Sequence, residues 1–156
     1  MLVSDLSLPL KSSSDPYLTI GRYETSTQQC EWIGSSQTEL DCSAVQLNGR
    51  SPTVIVIRFI GRGGIHYSRQ QLTFVTLADE GKSPLKCSSG SCQINAETWQ
   101  SRVFNVAETN FDPDGIATGV PKTWSATEGE CVLKNKFLHC SAQRKNGQTY
   151  QAKAHF

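Results

Sequence analysis

Hydrophobic and polar residues alternate along the last part of the chain, and this alternation predicts antiparallel strands. Within residues 131–154 most apolar side chains fall at every second position of each segment, as in strands that bury one face. Pairing Cys131 with Cys140 leaves residues 135–136 as a two-residue turn, because Asn tolerates a left-handed backbone. A three-residue loop with Gly147 in the left-handed position then keeps every apolar residue on one face. The opposed pairs would be Leu133 with Leu138, Ala142 with Tyr150, Cys140 with Ala152, and Leu138 with Ala154.

Part of this pattern occurs twice in the chain. LDCSAVQLNGR at 40–50 aligns without a gap with LHCSAQRKNGQ at 138–148, and Leu, Cys, Ser, Ala, Asn and Gly recur in place. The repeat is compatible with an old duplication or with two solutions to one packing problem. Either origin predicts the same local structure at both places, namely a three-stranded meander held by a disulfide.

The first copy follows the same pairing rules. Cys30 pairs with Cys42 across a loop at 35–37, and a three-residue loop at 47–49 leads into the next strand. The opposed pairs would be Trp32 with Leu40, Cys42 with Val54, and Leu40 with Val56.

The other apolar segments are short and bounded by turn residues, which also favours β structure. VIVIRFI at 54–60 shows no alternation, so we predict a central strand buried on both faces. Strands are also predicted at residues 17–24 and in a long segment that ends with LTFVTLA at 72–78. Residues 95–107 fit a helix capped by Asn95 and a strand equally well. The predicted fold class is mainly β: an antiparallel sandwich or barrel of roughly ten strands, built around the two meanders, with one short helix left open.

The length and charge of the chain limit the possible functions. With 156 residues, we expect a flexible N-terminal tail at 1–16 and a single all-β domain at 17–156. The net charge of +1 argues against nucleic-acid binding, which depends on many Lys and Arg residues. No apolar run approaches the roughly 20 residues of a membrane-spanning helix. The oligomeric state is not predicted.

The six cysteines fall into three local pairs, which predicts three disulfides rather than a zinc site or reduced core thiols. Disulfides indicate an oxidising, extracytoplasmic compartment, either periplasmic or outside the cell. The first ten residues lack the basic and long apolar regions of a signal peptide. We therefore expect that an export signal has been removed and that Met1 replaces it. The predicted pairs are Cys30 with Cys42, Cys87 with Cys92, and Cys131 with Cys140.

The outward face of the last meander is the first candidate site. The predicted register points His139, Ser141, Lys153 and His155 away from the core and places Glu130 opposite Ser141. Ser, His and Glu on one surface could act as nucleophile, base and orienting acid, but catalytic groups usually lie in a cleft. A solvated polar face, or a mildly basic binding patch, explains the same residues.

Two loops are candidate contact sites. The segment from Gly61 to Gly64 includes Arg62 and precedes His66, so flexible backbone and positive charge could hold a phosphate or carboxylate. The loop between Cys87 and Cys92 is rich in Ser and Gly, and a disulfide-rigidified tip loses little entropy when it docks into a partner. Both loops are equally compatible with ordinary turns. The residues of the second tip are Ser88, Ser89, Gly90 and Ser91.

Two further features are better explained by structure than by ligand binding. Asn110, Asp112 and Asp114 resemble the front half of a calcium loop, but Pro121 stands where the closing Glu belongs, so we predict a turn. Trp32 and Trp99 are predicted to lie in the core, whereas Trp124 could be exposed.

We expect a non-enzymatic binding protein of the inhibitor or immunity type, which binds another protein, and we assign no cofactor, metal or catalytic residue. The first alternative is a secreted hydrolase that uses His139 or His66 with a nearby carboxylate. The second is a surface or structural module in which VIVIRFI forms an exposed edge and associates by strand addition.

Overall fold

The computed structural model describes residues 16–62, 69–79, 81–119 and 122–156, which form one curled, almost entirely antiparallel sheet of twelve strands. A short 3₁₀ helix, Pro16–Thr19, precedes the first strand. The mainly β fold is thus confirmed, and the curled single sheet corresponds to the barrel alternative. The strands are β1 (Gly21–Ser26), β2 (Gln29–Ile33), β3 (Glu39–Asp41), β4 (Ala44–Gly49), β5 (Val54–Arg62), β6 (Arg69–Leu77), β7 (Leu85–Ser88), β8 (Ser91–Ile94), β9 (Thr98–Phe111), β10 (Lys122–Lys134), β11 (Phe137–Arg144) and β12 (Thr149–His155).

Two long bent strands join the ends of this sheet. β1 runs on into β2 across residues 27–28, and β3 runs on into β4 across residues 42–43. β1 pairs with β4 and β2 pairs with β3, so the two bent strands form one long hairpin. One side of this hairpin bonds to β12 through β2, and the other side bonds to β5 through β4. The sheet therefore curls back on itself into a barrel-like shape.

Close approach of backbones at this junction requires a glycine. Ser43 N donates a hydrogen bond of 2.8 Å to the Ile60 carbonyl oxygen, which brings β5 against the bend between β3 and β4. A side chain at Gly61 would collide with the carbonyl oxygen of Asp41. The absence of a Cβ at this position allows the two strands to meet.

The second meander has the predicted register. Cys131 lies opposite Cys140, and all the other predicted pairs of β10, β11 and β12 are present. Asn135 and Lys136 have φ values of 51° and 66°, as a two-residue turn with left-handed residues requires. Gly147 has a φ of 91° in the following loop. This part of the prediction is confirmed.

The first meander has only half of the predicted register. Cys30 pairs with Cys42 and Trp32 lies opposite Leu40, but the predicted turn at 47–49 is wrong, because these residues end β4. Gly49 lies opposite Ile55. A Cβ on Gly49 would collide with the Thr19 carbonyl oxygen. The Asn-Gly pair thus serves a close backbone approach here, and the chain turns at residues 50–53 instead. The pairs Cys42 with Val54 and Leu40 with Val56 do not form.

The sequence left helix and strand open for residues 95–107. The structure has strand β9 from Thr98 onward, and the helix alternative is wrong. Trp99, Ser101 and Val103 alternate as buried residues of β9. The register against β6 then shifts, because Thr76 lies opposite Val103 and Val75 opposite Asn105. The extra residue, Phe104, is exposed. A bulge of this kind changes the phase of the strand by one residue.

VIVIRFI is the central strand that was predicted. β5 pairs with β4 on one side and with β6 on the other. Ile55, Ile57 and Phe59 lie in the core, and Val56 and Ile60 on the other face are also buried. Since both sides are paired, β5 offers no free edge for strand addition.

Side chains fill the interior of the curled sheet. Phe59 and Phe74 are fully buried and meet edge to face, with ring centroids 5.9 Å apart. The disulfide between Cys131 and Cys140 lies among them and is also fully buried. All three predicted disulfides are present.

The start of the chain matches the prediction only in part. The first strand begins at Gly21, after the 3₁₀ helix, rather than at residue 17. The predicted tail at 1–16 lies almost wholly outside the described residues and stays a prediction. In the described part of the chain, no helix has the length and apolar character needed to cross a membrane.

Candidate functional site

Four neighbouring strands align charged residues on the outer face of the sheet. His139 on β11 lies opposite Lys153 on β12, Lys153 lies opposite Glu31 on β2, and Glu31 lies opposite Asp41 on β3. We call these four residues the charged row. Their neighbours along each strand point inward, as Leu138, Ala152 and Trp32 do. The pleat of the strands thus places the whole row on one surface.

An ion pair and an acid pair link the residues of this surface. Lys153 Nζ lies 2.8 Å from Glu31 Oε1. The hydrogen bond from Lys153 lowers the pKa of Glu31, and the bond to Glu31 raises the pKa of Lys153. Glu39, in the adjacent row of β3, shares a hydrogen bond with Glu31, which raises the pKa of Glu39. The two carboxyl groups therefore lose their protons in a set order on rising pH, Glu31 before Glu39.

We expect the two glutamates to titrate on opposite sides of the ordinary value of 4.5. The lowered pKa of Glu31 gives stability that is present above pH 4.5 and is lost as the pH falls through its folded-state pKa. The raised pKa of Glu39 gives stability that is present below pH 4.5 and is lost as the pH rises through its folded-state pKa. Carboxyl ¹³C NMR titration measures both values, and Lys153→Met should raise the pKa of Glu31. Coincident titration of both carboxyl groups would contradict the arrangement.

A groove runs beside the charged row. It has a volume of about 550 Å³, and residues of the Cys30–Cys42 disulfide, Lys153 and Asp41 line it. Phe137, which is 43% exposed, and His155 also line this groove. A smaller hollow of about 80 Å³ shares Glu31 and Lys153 with the groove and adds Glu39 and His139. The face therefore offers charge, an exposed aromatic ring and a concave shape together.

The predicted residues of this face are only partly brought together. His139, Lys153 and His155 line the groove or the hollow. Ser141 lies opposite Glu130 as predicted. Glu130, however, accepts a hydrogen bond of 2.7 Å from Gln100. Within the part of the chain that the structure describes, no side-chain hydrogen bond links Ser141 or Glu130 to His139.

The acidic half of the face was missed by sequence reasoning. The pairing of Cys30 with Cys42 already places Glu31 opposite Asp41, so that contact was readable from the sequence. The pairing of β2 with β12, which brings Glu31 to Lys153, joins the two ends of the domain. No local pattern predicts such a long-range contact.

The other candidate residues lie elsewhere. Ser88, Ser89, Gly90 and Ser91 form the exposed tip of the β7–β8 hairpin, where the Gly90 carbonyl oxygen accepts a 2.9 Å hydrogen bond from Arg22 N of β1. Arg62 ends β5, and its side chain lies outside the described residues, as does His66. Their proposed role in binding stays a prediction.

The calcium-like segment is a turn. The Asp112 carboxylate accepts hydrogen bonds of 2.9 Å from the backbone N of Asp114 and of Ile116. Its oxygen is thus used to hold the turn. Among the described residues, no group of three or more His, Cys, Asp and Glu side chains is placed to hold a metal ion.

A second polar network closes one end of the curled sheet. Glu108 accepts hydrogen bonds from the backbone N and the hydroxyl of Ser35, in the loop between β2 and β3. Gln148 Nε2 donates to the Ser35 carbonyl oxygen at 2.9 Å. Gln37 Nε2 of the same loop donates to the Thr149 carbonyl oxygen at 3.3 Å, so four hydrogen bonds attach this loop to later parts of the chain.

Trp124 belongs to the same end of the sheet. Its ring is half-buried, stacks on Tyr150 with centroids 5.2 Å apart, and lies beneath the Arg144 guanidinium at 4.5 Å. Burial raises the pKa of Tyr150, while the hydrogen bond from Arg144 acts in the opposite direction. Trp124 is thus partly covered by Tyr150 and Arg144 and not fully exposed. Trp32 and Trp99 lie in the core as predicted.

Comparison with known proteins gives no relative. No protein-family model matches the chain, no curated protein is significantly similar to it, and no solved structure matches it significantly. Any function must therefore be argued from the residues themselves.

Proposed function

We propose that the protein is an exported, disulfide-stabilised binding protein without chemistry of its own, and that the charged row and its groove contact a protein partner. The observation that carries this proposal is the alignment of His139, Lys153, Glu31 and Asp41 across four strands beside a groove of about 550 Å³. The sheet interior is filled by side chains, so its outer surface is the natural place for recognition.

The charges of this face suit a partner that presents Lys or Arg. Glu31, Glu39 and Asp41 stand together, and Lys153 is the one cation that pairs with them in the described structure. A partner cation near Glu39 would offset the repulsion between Glu39 and Glu31. Complementary charge would speed association and fix the orientation of the partner. Exposed Phe137 would supply an apolar contact beside these charges.

Three disulfides support a place outside the cytoplasm, since such bonds persist in oxidising compartments. A periplasmic or secreted inhibitor or immunity protein needs a rigid surface that fits its target without reorganising. The disulfide in the floor of the groove supplies rigidity at the proposed contact.

The two alternative functions have less support. A hydrolase would require a carboxylate bonded to His139, but Glu31 and Glu39, which line the same hollow, bond to Lys153 and to each other. Strand addition would require a free edge, and β5 has none. β3 is an edge of the sheet, but it is three residues long and carries two acidic side chains, features that disfavour edge-to-edge pairing.

The test compares two charge-reversed variants as bait for extracytoplasmic proteins of the source. Glu39→Lys/Asp41→Lys reverses two exposed charges at the groove, and Glu97→Lys/Asp114→Lys reverses two exposed charges elsewhere. We expect a protein that the wild type and the second variant retain and the first variant loses. Calorimetric titration of that protein should then show affinity at least about 100-fold weaker for the first variant. Equal binding to all three proteins would refute the assignment of this face.

A further inference from the structure

An arginine without an acidic partner lies on the outer face of β5. Arg58 is half-buried, and its guanidinium donates one hydrogen bond, of 3.2 Å, to the Gln46 side-chain oxygen. That oxygen also accepts a hydrogen bond of 2.8 Å from Asn48. Within the described residues, no carboxylate forms an ion pair with Arg58. Partly buried charges are normally paired, so this guanidinium has unused binding capacity.

Two further arginines share this face. Arg22 on β1 lies opposite Asn48 on β4, and Arg50 directly follows the end of β4. Burial, and then repulsion from Arg50 and Arg22, lower the pKa of Arg58. The three cations are thus close enough to oppose one another. We call Arg22, Arg50 and Arg58 the arginine cluster.

The face contains too little negative charge to neutralise these cations. Strands β1, β4 and β5 carry a single carboxylate, Glu24. It accepts a hydrogen bond of 2.7 Å from Gln46 and lies 3.9 Å from Arg22. Three guanidinium groups around one carboxylate leave an excess of two positive charges, although the whole chain carries only +1.

The tip of the β7–β8 hairpin extends this face. Ser91 of β8 aligns with Arg22 in a parallel bridge, so the hydroxyl of Ser91 adjoins the arginine cluster. The Cys87–Cys92 disulfide holds this hairpin in place. A hydroxyl and an amide beside several arginines are the donors that tetrahedral oxyanions accept.

We propose that the arginine cluster, with Asn48 and Ser91, binds a phosphate or sulfate group. Arg58 supplies a half-buried donor, and the exposed Arg22 and Arg50 supply further donors to the anion. Bound anion offsets the repulsion between the three cations. This site is separate from the charged row and does not depend on the function proposed for it.

The test is an NMR titration of ¹⁵N-labelled protein with inorganic phosphate and, separately, with sulfate, at ionic strength held constant with sodium chloride. We expect saturable shifts of the backbone amides of Arg22, Asn48, Arg50 and Arg58. A third titration, with a sugar phosphate, distinguishes free anions from the terminal group of a larger molecule. Binding only of the free anions, or only of the ester, identifies the source of the group.

A charge-matched pair of variants controls for general attraction of anions. Arg22→Gln/Arg50→Gln removes two exposed cations of the site and should weaken binding about 100-fold, about tenfold for each arginine. Arg102→Gln/Lys134→Gln removes two exposed cations elsewhere and should leave the affinity unchanged. Arg50→Gln alone, which changes one exposed side chain, should weaken binding about tenfold and guards against misfolding of the double variant. Equal losses in both double variants, or shifts that never saturate, would overturn the proposal.

Discussion

The double variant Cys131→Ala/Cys140→Ala is expected to lose about 3–5 kcal/mol of unfolding free energy. The disulfide spans nine residues, and closing a loop of that length in the unfolded chain accounts for about 2.5 kcal/mol. Both sulfur atoms are also fully buried between strands, so their removal leaves a cavity in the core. Folded domains have about 5–15 kcal/mol in total, so this one bond is a large part of the stability. Urea unfolding measures the loss.

The variant Cys87→Ala/Cys92→Ala is the matched control for this effect. Its disulfide spans only five residues and joins two strands at the end of the sheet. We expect a smaller loss, because closing this shorter loop accounts for only about 2 kcal/mol and the two cysteines are slightly less buried. A larger loss for Cys87→Ala/Cys92→Ala than for Cys131→Ala/Cys140→Ala would contradict the placement of the Cys131–Cys140 disulfide at the centre of the core.

Phe59→Ala is expected to destabilise the fold by about 3–5 kcal/mol. The side chain is fully buried and meets Phe74 edge to face, so its removal leaves a cavity in the core. Phe104→Ala removes the same chemical group from an exposed position, the extra residue of the β9 bulge. It should cost less than about 1 kcal/mol. Thermal and urea unfolding of the two variants provide the comparison, and similar losses would show that the bulge is placed incorrectly.

The sequence was most informative where contacts are local. Alternation, a paired cysteine and an Asn or Gly turn jointly specify the register from Cys131 to Ala154, and one residue of slip would expose the apolar face. The same Asn-Gly pair led to a wrong turn prediction at Asn48 and Gly49, because Gly49 is required where the Thr19 backbone approaches closely. A glycine indicates that a side chain would be unfavourable at that position. The sequence around it does not show whether the reason is a left-handed turn or a close backbone approach.

The choice between helix and strand that the sequence left open at residues 95–107 illustrates a second limit of sequence-based prediction. A bulge at Phe104 brings Val103 and Val106 to the same face, which is a spacing of three residues and therefore typical of a helix. Sequence periodicity cannot separate a helix from a strand that contains an extra residue. The prediction of the charged row from the sequence was limited for a similar reason, because Glu31 meets Lys153 only through the long-range pairing of β2 with β12.

The long bent hairpin also has a consequence for the order of folding. Each disulfide joins cysteines that are at most 12 residues apart, so the correct partner is the nearest thiol as the chain emerges. The pairing of β2 with β12, by contrast, joins two strands that are far apart in the chain. Oxidation can therefore be complete and correct while the barrel is still open, and closure waits until β12 has been synthesised. Until that moment the edges of β2 and β12 are unpaired, and this interval is when the chain is most exposed to wrong strand pairing.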